Sequence, residues 1–375
     1  MRYRRFGKTE LPLSIFSLGT MRCLTSATNF RQTLQQAIAL GINHIETASS
    51  YGKGEEYLGN CLQELPREKL YITTKLPPTP DAGEMRQQIE RSLKRLQLDY
   101  LDCLAIHGIN TWEHLEWVTG EGGCLTALEE AVATGRVRHL GFATHGSLEL
   151  ILAAIATDLF EFVNLHYYYF FQRQARAIAL ASQKDLGIFI ISPVDKGGQL
   201  HNPPDKLCQL CHPFSPLELN YRFLLSRPEI STLSYGAATP QELSAILAVC
   251  ERYFPLNTAE IAALERLETE MNQVLAGDRC SQCYQCLPCP ETINIPEILR
   301  LRNLAVAYEM TDFAQYRYRM LENAGHWFPG KKGDHCTDCG DCLPRCPEQL
   351  EIPRLLRDAH QRLNGSPRRR LWEES

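Results

Sequence analysis

Two cysteine runs near the C-terminus restrict the fold of this chain more than any other feature. They read Cys280-x-x-Cys283-x-x-Cys286-x-x-Cys289-Pro290 and Cys336-x-x-Cys339-x-x-Cys342-x-x-x-Cys346-Pro347, and hold eight of the fifteen cysteines. The second run fits the spacing in which three close thiolates hold one 4Fe–4S cube and a fourth, before proline, reaches another cube. Two-residue gaps put three sulfurs on one sharply turning loop, and the proline redirects the chain after the fourth. Two runs therefore offer eight thiolates to two cubes. A zinc ribbon also takes four thiolates, but it leaves the further cysteines and both Cys-Pro pairs without a purpose. Disulfides are the third alternative. The first run has two residues, not three, before its last cysteine, which leaves open which cube Cys289 serves.

A chain of 375 residues holds one large domain plus a small one, or two of ordinary size. Its 44% hydrophobic content suffices for a packed core, and no apolar stretch approaches the length of a bilayer span. The opening MRYRRFGKTELPLS is charged with no apolar run behind it, so no signal peptide is expected. Together with the many cysteines this points to a reducing compartment, the cytoplasm. A net charge of −5 argues against a general nucleic-acid binder. The basic-then-acidic end, Ser366 to Ser375, reads as a solvated, frayed terminus.

Up to about residue 240, short β-branched or apolar runs alternate with helical patterns, as in repeated βα units. Eight strands are expected: Ser14–Met21, Asn43–Ala48, Leu70–Leu76, Tyr100–His107, Arg138–Thr144, Phe162–Tyr168, Gly187–Val194 and Ile230–Gly236. Helices are expected over Phe30–Leu40, Glu84–Leu96, Thr126–Thr134, Gln172–Lys184 and Gln241–Arg252, with Gly41, Gly135 and Gly187 as left-handed stops. Eight such pairs are the arithmetic of an α/β fold of the (β/α)8 TIM-barrel type. A doubly wound open sheet is the rival, weakened by the absence of Gly-x-Gly-x-x-Gly after the first strand. The expected division is a barrel over 1–256, a linking helix over 257–279, a small, mainly α-helical dicluster domain over 280–365, and a flexible tail over 366–375. The linking helix starts from Asn257 and Glu260 and carries Ile261, Leu264, Leu267 and Met271 on one face. Ile298–Met310, Asp312–Ala324 and Ile352–Leu363 read as helices around the second run.

Catalytic groups of such barrels sit at the C-terminal ends of strands. Those ends carry Glu46 and Tyr51 after the second strand, Lys75 on the third and His107 on the fourth. Each has a dull explanation alone: a packing aromatic, a solvated cation, a satisfied loop histidine. Four at neighbouring strand ends would converge on one mouth.

The sequence resembles the aldo-keto reductases from its N-terminus to about residue 250. Tyr3-Arg-Arg-Phe-Gly-Lys-Thr looks like that family's N-terminal hairpin, and Gly41-Ile-Asn-His-Ile-Glu-Thr-Ala-Ser-Ser-Tyr-Gly52 its signature around the catalytic acid and tyrosine. Ile72-Thr-Thr-Lys75, Leu101-Asp-Cys-Leu-Ala-Ile-His107 and Arg138-His-Leu-Gly-Phe-Ala-Thr144 resemble its third, fourth and fifth strands, and Lys196-Gly197-Gly198 a loop beside the cofactor pyrophosphate. The tail resembles the dicluster ferredoxin-like extension of one subgroup, in its α-helical form. Three departures stand out: Glu46 replaces an aspartate, Ala143-Thr144 a common Ser-Asn pair, and Asn164 the usual glutamine.

The resemblance implies reversible hydride transfer between NADP(H), with NAD(H) the alternative, and a small carbonyl or alcohol substrate. Cofactor contacts would come from Thr144, Asn164, Ser192, Lys196, Gly197, Gly198, Gly236 and Gln241. The stretch Ser234 to Glu242 carries no cation for a 2′-phosphate. Tyr51 is the expected acid/base, since negative charge grows on the carbonyl oxygen as hydride arrives. Lys75 favours the phenolate of a group whose ordinary pKa is about 10. Glu46 would hold Lys75, and His107 would position the substrate oxygen.

Nicotinamide moves two electrons as hydride, whereas each cube moves one, and no flavin motif bridges them. The tail could relay electrons from a one-electron carrier such as a ferredoxin, sense redox state, or staple a small domain. The rival function is therefore an electron-transfer or redox-sensing protein with little or no reductase turnover. Cys208-Gln-Leu-Cys211-His212 matches the c-type haem attachment string, but reads better as a loop thiol pair. Cys23, Cys61, Cys103, Cys124 and Cys250 read as small core residues.

Overall fold

The computed structural model describes residues 1–250 and 255–367 and divides the chain into two compact units. The first comprises 1–196 with 221–255, the second 197–220 with 256 onward. The tail expected over 366–375 lies almost wholly outside the described residues, as does the end of the helix expected over Gln241–Arg252.

In the first unit β1 (Tyr3–Arg5) pairs antiparallel with β2 (Pro12–Ser14). Eight parallel strands follow: β3 (Phe16–Gly19), β4 (His44–Glu46), β5 (Tyr71–Leu76), β6 (Leu101–His107), β7 (Val137–Ala143), β8 (Phe162–Leu165), β9 (Gly187–Ile190) and β10 (Thr232–Tyr235). Each pairs with its sequence neighbours and β10 closes on β3, so the sheet is a closed barrel and not an open doubly wound one. Most strands stop short of the expected C-terminal ends. Residues 166–168 and 191–194, read as strand, lie beyond the ends of β8 and β9.

Local signals explain the helices between strands. Ser26 caps Ala27–Ala39 and Asp81 caps Ala82–Leu96, each accepting from a backbone N–H three residues on. Gly41 and Gly135 have positive φ after their helices, as expected, but Gly187 does not. Asp185 takes the left-handed turn there, and Gly187 opens β9. Its missing side chain serves packing instead, because a Cβ would stand 2.4 Å from Cδ2 of Phe6. Phe6 enters a cluster with Leu13, Cys103, Ala105, Phe162 and Phe189 and so closes off that end of the barrel.

Alternation along the strands fixes what lies above this plug. His44 is fully buried and bonds Ser17 Oγ (2.6 Å) and Thr73 Oγ1 (2.7 Å), while Ser17 Oγ bonds Thr232 Oγ1 (2.7 Å). Burial, aided by the charge of Lys75, pushes the His44 pKa down to about 3. The folded chain therefore keeps His44 neutral while the unfolded chain protonates it below its ordinary value of 6.5. Protons then favour the unfolded state, so this residue makes stability fall as pH drops from 6.5 towards 3, by up to about 1.4 kcal/mol per pH unit. Urea unfolding of wild type and His44→Gln across that window should give a difference that changes with pH. A pH-independent difference would refute the neutral buried imidazole.

The second unit is helical: Asp205–Cys211, Thr258–Leu275, Ile295–Tyr308, Thr311–Tyr318 and Ile352–Leu363. Asn257 and Glu260 form the expected capping box. The stripe of that helix differs from the reading, since Ile261 is exposed and Ala263, Leu267 and Leu275 are buried. Segment 197–220 packs on it: Lys206 pairs with Glu270 (2.7 Å), and Arg266 donates to the carbonyls of Leu210 and His212. Cys208 and Cys211 lie on the short helix Asp205–Cys211 and not in a loop. The scattered Cys23, Cys61, Cys103, Cys124 and Cys250 are all buried, as expected of core residues. Among the described residues no helix is long and apolar enough to cross a membrane.

Candidate active site and cysteine cages

The inner-facing residues at the C-terminal ends of β4, β5 and β6 are Glu46, Lys75 and His107, all buried. Lys75 Nζ lies 2.8 Å from Glu46 Oε1 and donates to Thr47 O at 2.9 Å. It also hydrogen-bonds Tyr51, whose ring centroid is 5.0 Å from Nζ. Burial, the strongest single influence on Lys75, pushes its pKa down. The charge and hydrogen bonds of Glu46 and Tyr51 together outweigh it, and the ammonium is held above the ordinary lysine range. The Tyr51 and His107 rings meet edge-on at 5.8 Å, and Ser50 Oγ stands 3.4 Å from His107 Nδ1. The four residues read from strand ends thus share one site.

The expected cofactor residues are placed less uniformly. Asn164 is fully buried; its Nδ2 donates to Glu46 Oε1 at 2.7 Å, and its Oδ1 is buried without a hydrogen-bond partner. Thr144 Oγ1 is engaged by its own turn, donating to Ile109 O (2.6 Å) and accepting from Gly146 N (2.9 Å). Ser192 takes a left-handed φ of 53° just beyond β9. Lys196 Nζ approaches His145 Nε2 (3.4 Å), which faces His166 Nε2 (3.1 Å). Tyr168 bonds His166 Nδ1 and donates to Ile191 O at 2.5 Å. Gly197 and Gly198 fall in the second unit, where a Cβ on Gly198 would stand 2.7 Å from Met310 Cε. Gln241 is exposed, and Gly236 offers its carbonyl to Arg22 (2.7 Å).

The eight cysteines of the two runs divide differently from their sequence order. One cavity is lined by Cys280, Cys283, Cys286 and Cys346, with Pro296, Leu299, Leu350 and Ile352 around them. The other is lined by Cys336, Cys339, Cys342 and Cys289, with Ile293, Ile295 and Leu356. Each run gives three sulfurs to its own cavity and the fourth to its neighbour's. The backbone repeats as well: Gln282 and Tyr284 in one run, Asp338 and Gly340 in the other, have positive φ within the two-residue gaps. Among the described residues no three His, Cys, Asp or Glu side chains converge on a point as a single-ion site would require. The sulfurs stand around spaces instead.

A model of the aldo/keto reductase family matches residues 16–269, more than half of the chain. The chain belongs to the aldo/keto reductase family. A model of the 4Fe-4S dicluster domain matches residues 279–350, so this reductase-family barrel is joined to an iron–sulfur domain. The uncharacterized oxidoreductase YqkF of Bacillus subtilis is 23% identical over 280 residues, spanning 65% of this chain and 89% of that protein. L-glyceraldehyde 3-phosphate reductase of Escherichia coli is 29% identical over 164 residues, spanning 39% of this chain and 46% of that enzyme. The aldo-keto reductase AKR11C1 of Bacillus halodurans shares the fold, with a TM-score of 0.63 at 21% identity over 71% of this chain and 96% of its own.

Sequence reasoning missed two things that this aldo/keto reductase-family chain contains. Arg22, beyond β3, bonds Gly236 O and pairs with Glu242 (2.9 Å), bringing a guanidinium to the stretch after β10 that has none of its own. Only closure of the barrel brings these residues together. The second was legible: 289–300 and 346–357 repeat one another, sharing Cys, Pro, Glu, Ile, Pro, Leu and Arg at equivalent positions. Each copy runs from a cysteine through a left-handed residue, Thr292 or Gln349, into a helix with proline at its start. Pairwise loss of cysteines checks the crossed grouping. Cys289→Ser with Cys339→Ser should remove about half the iron, because both sulfurs belong to one cavity. Cys289→Ser with Cys346→Ser should remove nearly all of it, and loss of nearly all the iron in both variants, as grouping by run would give, would refute the crossed arrangement.

Proposed function

We propose that the barrel is a nicotinamide-dependent carbonyl reductase, acting reversibly on a small aldehyde, ketone or alcohol, and that the helical unit holds two 4Fe–4S clusters. The observation that carries the first part is the buried Lys75 ammonium, held between the Glu46 carboxylate and the Tyr51 phenol beside His107. A bound nicotinamide cofactor supplies the hydride. As charge grows on the substrate oxygen, Tyr51 gives that oxygen its hydroxyl proton, and Lys75 stabilises the phenolate left behind. Glu46 keeps Lys75 charged and aimed, and His107 holds the oxygen in line with Tyr51. In the reverse direction the Tyr51 phenolate takes the proton from the alcohol.

The residues present fit such a cofactor. Asn164 Oδ1, buried without a partner, suits a carboxamide N–H donor, because an unpaired buried acceptor costs about 1–3 kcal/mol. Arg22 would be the cation for a 2′-phosphate, exchanging its pairing with Glu242 for the phosphate, and on that basis we favour NADP(H) over NAD(H). Cys280, Cys283, Cys286 and Cys346 would hold one cluster, and Cys289, Cys336, Cys339 and Cys342 the other. Such clusters supply one-electron transfer when bound. Cys286 and Cys342, one from each set, are both buried.

Anaerobic protein given NADPH should oxidise it only when a carbonyl is added. Bleaching of the brown visible band by NADPH alone, with no carbonyl turnover, would overturn the reductase reading in favour of electron transfer. Tyr51→Phe should lower carbonyl turnover by roughly 10²- to 10⁴-fold with NADPH binding intact. Wild-type turnover in that variant would remove Tyr51 from its role.

A further inference from the structure

Asn164 and Glu46 meet across the barrel, not along it. The strand order β10-β3-β4-β5-β6-β7-β8-β9 places three strands between β4 and β8 in either direction, so the two residues are diametrically opposed. Their hydrogen bond of 2.7 Å therefore spans the lumen. Both side chains are buried, and the carboxylate oxygen that accepts from Asn164 is the one that pairs with Lys75. Only Nδ2 can donate to a carboxylate, so the bond fixes which way the amide faces.

Side-chain lengths make this bridge. Glutamate carries two methylenes and an extra torsion to immobilise, while asparagine carries one methylene. A shorter acid would withdraw by about 1.5 Å and stretch 2.7 Å to about 4 Å, beyond a hydrogen bond. Thr47 O gives the Lys75 ammonium a second acceptor, so a retreating carboxylate would leave Lys75 free to turn towards the backbone and away from Tyr51.

We propose that Asn164 is a positioning residue for the acid/base pair: across the barrel it holds Glu46 in the conformation that aims Lys75 at Tyr51, and the lengths of residues 46 and 164 are matched for this. The proposal rests on the reductase reading above and deepens it.

The test uses the full cluster-containing chain in four forms: wild type, Glu46→Asp, Asn164→Gln, and the two together. NADPH-dependent reduction of 4-nitrobenzaldehyde, NADPH binding by fluorescence, and thermal unfolding are read on each. Glu46→Asp should lower kcat by roughly 10- to 100-fold, a fraction of the full acid–base contribution and a larger loss than any weakening of NADPH binding that follows from freeing the Asn164 amide. Adding Asn164→Gln should restore kcat to within about fivefold of wild type, the non-additivity expected of residues in contact. Losses that multiply in the double variant would overturn the proposal. Unfolding keeps the two readings separable. If the wild type turns over no carbonyl, recovery of the midpoint in the double variant still supports the brace, and additive falls in midpoint refute it. Should Asn164→Gln alone fail to fold, its rescue by Glu46→Asp is itself the expected result, and an unfolded double variant the contrary one.

Discussion

A single buried ion pair sets the terms for the barrel. Removing a carboxylate and an ammonium from water costs several kcal/mol each, and mutual attraction offsets that only when the remaining hydrogen-bonding capacity is also used. Glu46 and Lys75 meet the condition through Asn164, Thr47 and Tyr51, drawn from β8, the loop after β4, and the turn that follows. The charge of Lys75 extends beyond the pair. It reaches His44 in the layer below and helps keep that imidazole neutral among Ser17 and Thr73. A neutral ring can accept as well as donate, which the two hydroxyl partners require. The polar layers of the barrel are thus one electrostatic arrangement, with the cation placed where the strands end.

The cysteine unit solves a different problem with a repeated piece of backbone. Three sulfurs must face one space within a few residues, which demands reversals that ordinary side chains resist. Gln282, Tyr284 and Asp338 adopt left-handed φ without being glycine, and Gly340 completes the pattern. Strain of that kind persists where the surroundings over-determine it. Thr292 and Gln349 turn the same way after their cysteines, each leading into a proline-started helix. Because each copy's last cysteine joins the other copy's space, neither half completes a cage by itself.

What was legible in the sequence follows from the range of the interaction. Strand positions and the four strand-end residues could be read because period-two alternation fixes a residue's face once the strand is placed. The eight cysteines that line the two cavities could be singled out because their spacing is local. Partnerships set by closure were not legible: Arg22 with Gly236, Asn164 with Glu46, Cys289 with the second run. Gly187 misled for a related reason. It sits where a helix stop is expected, yet Phe6, distant in sequence, is what requires it to lack a side chain. Ile261 misled because helical spacing identifies a stripe without saying which stripe finds a partner.

The grouping of segment 197–220 with the helical unit bears on how the chain is made. The polypeptide enters the second unit, returns to the first for β10, and leaves again. Lys206 must wait for Glu270, the carbonyls of Leu210 and His212 for Arg266, and Gly198 for Met310, all synthesised later. On a ribosome the barrel can close before its longest excursion has anything to rest on. Neither unit corresponds to one continuous stretch, so any single cut that leaves one of them whole carries a piece of the other with it.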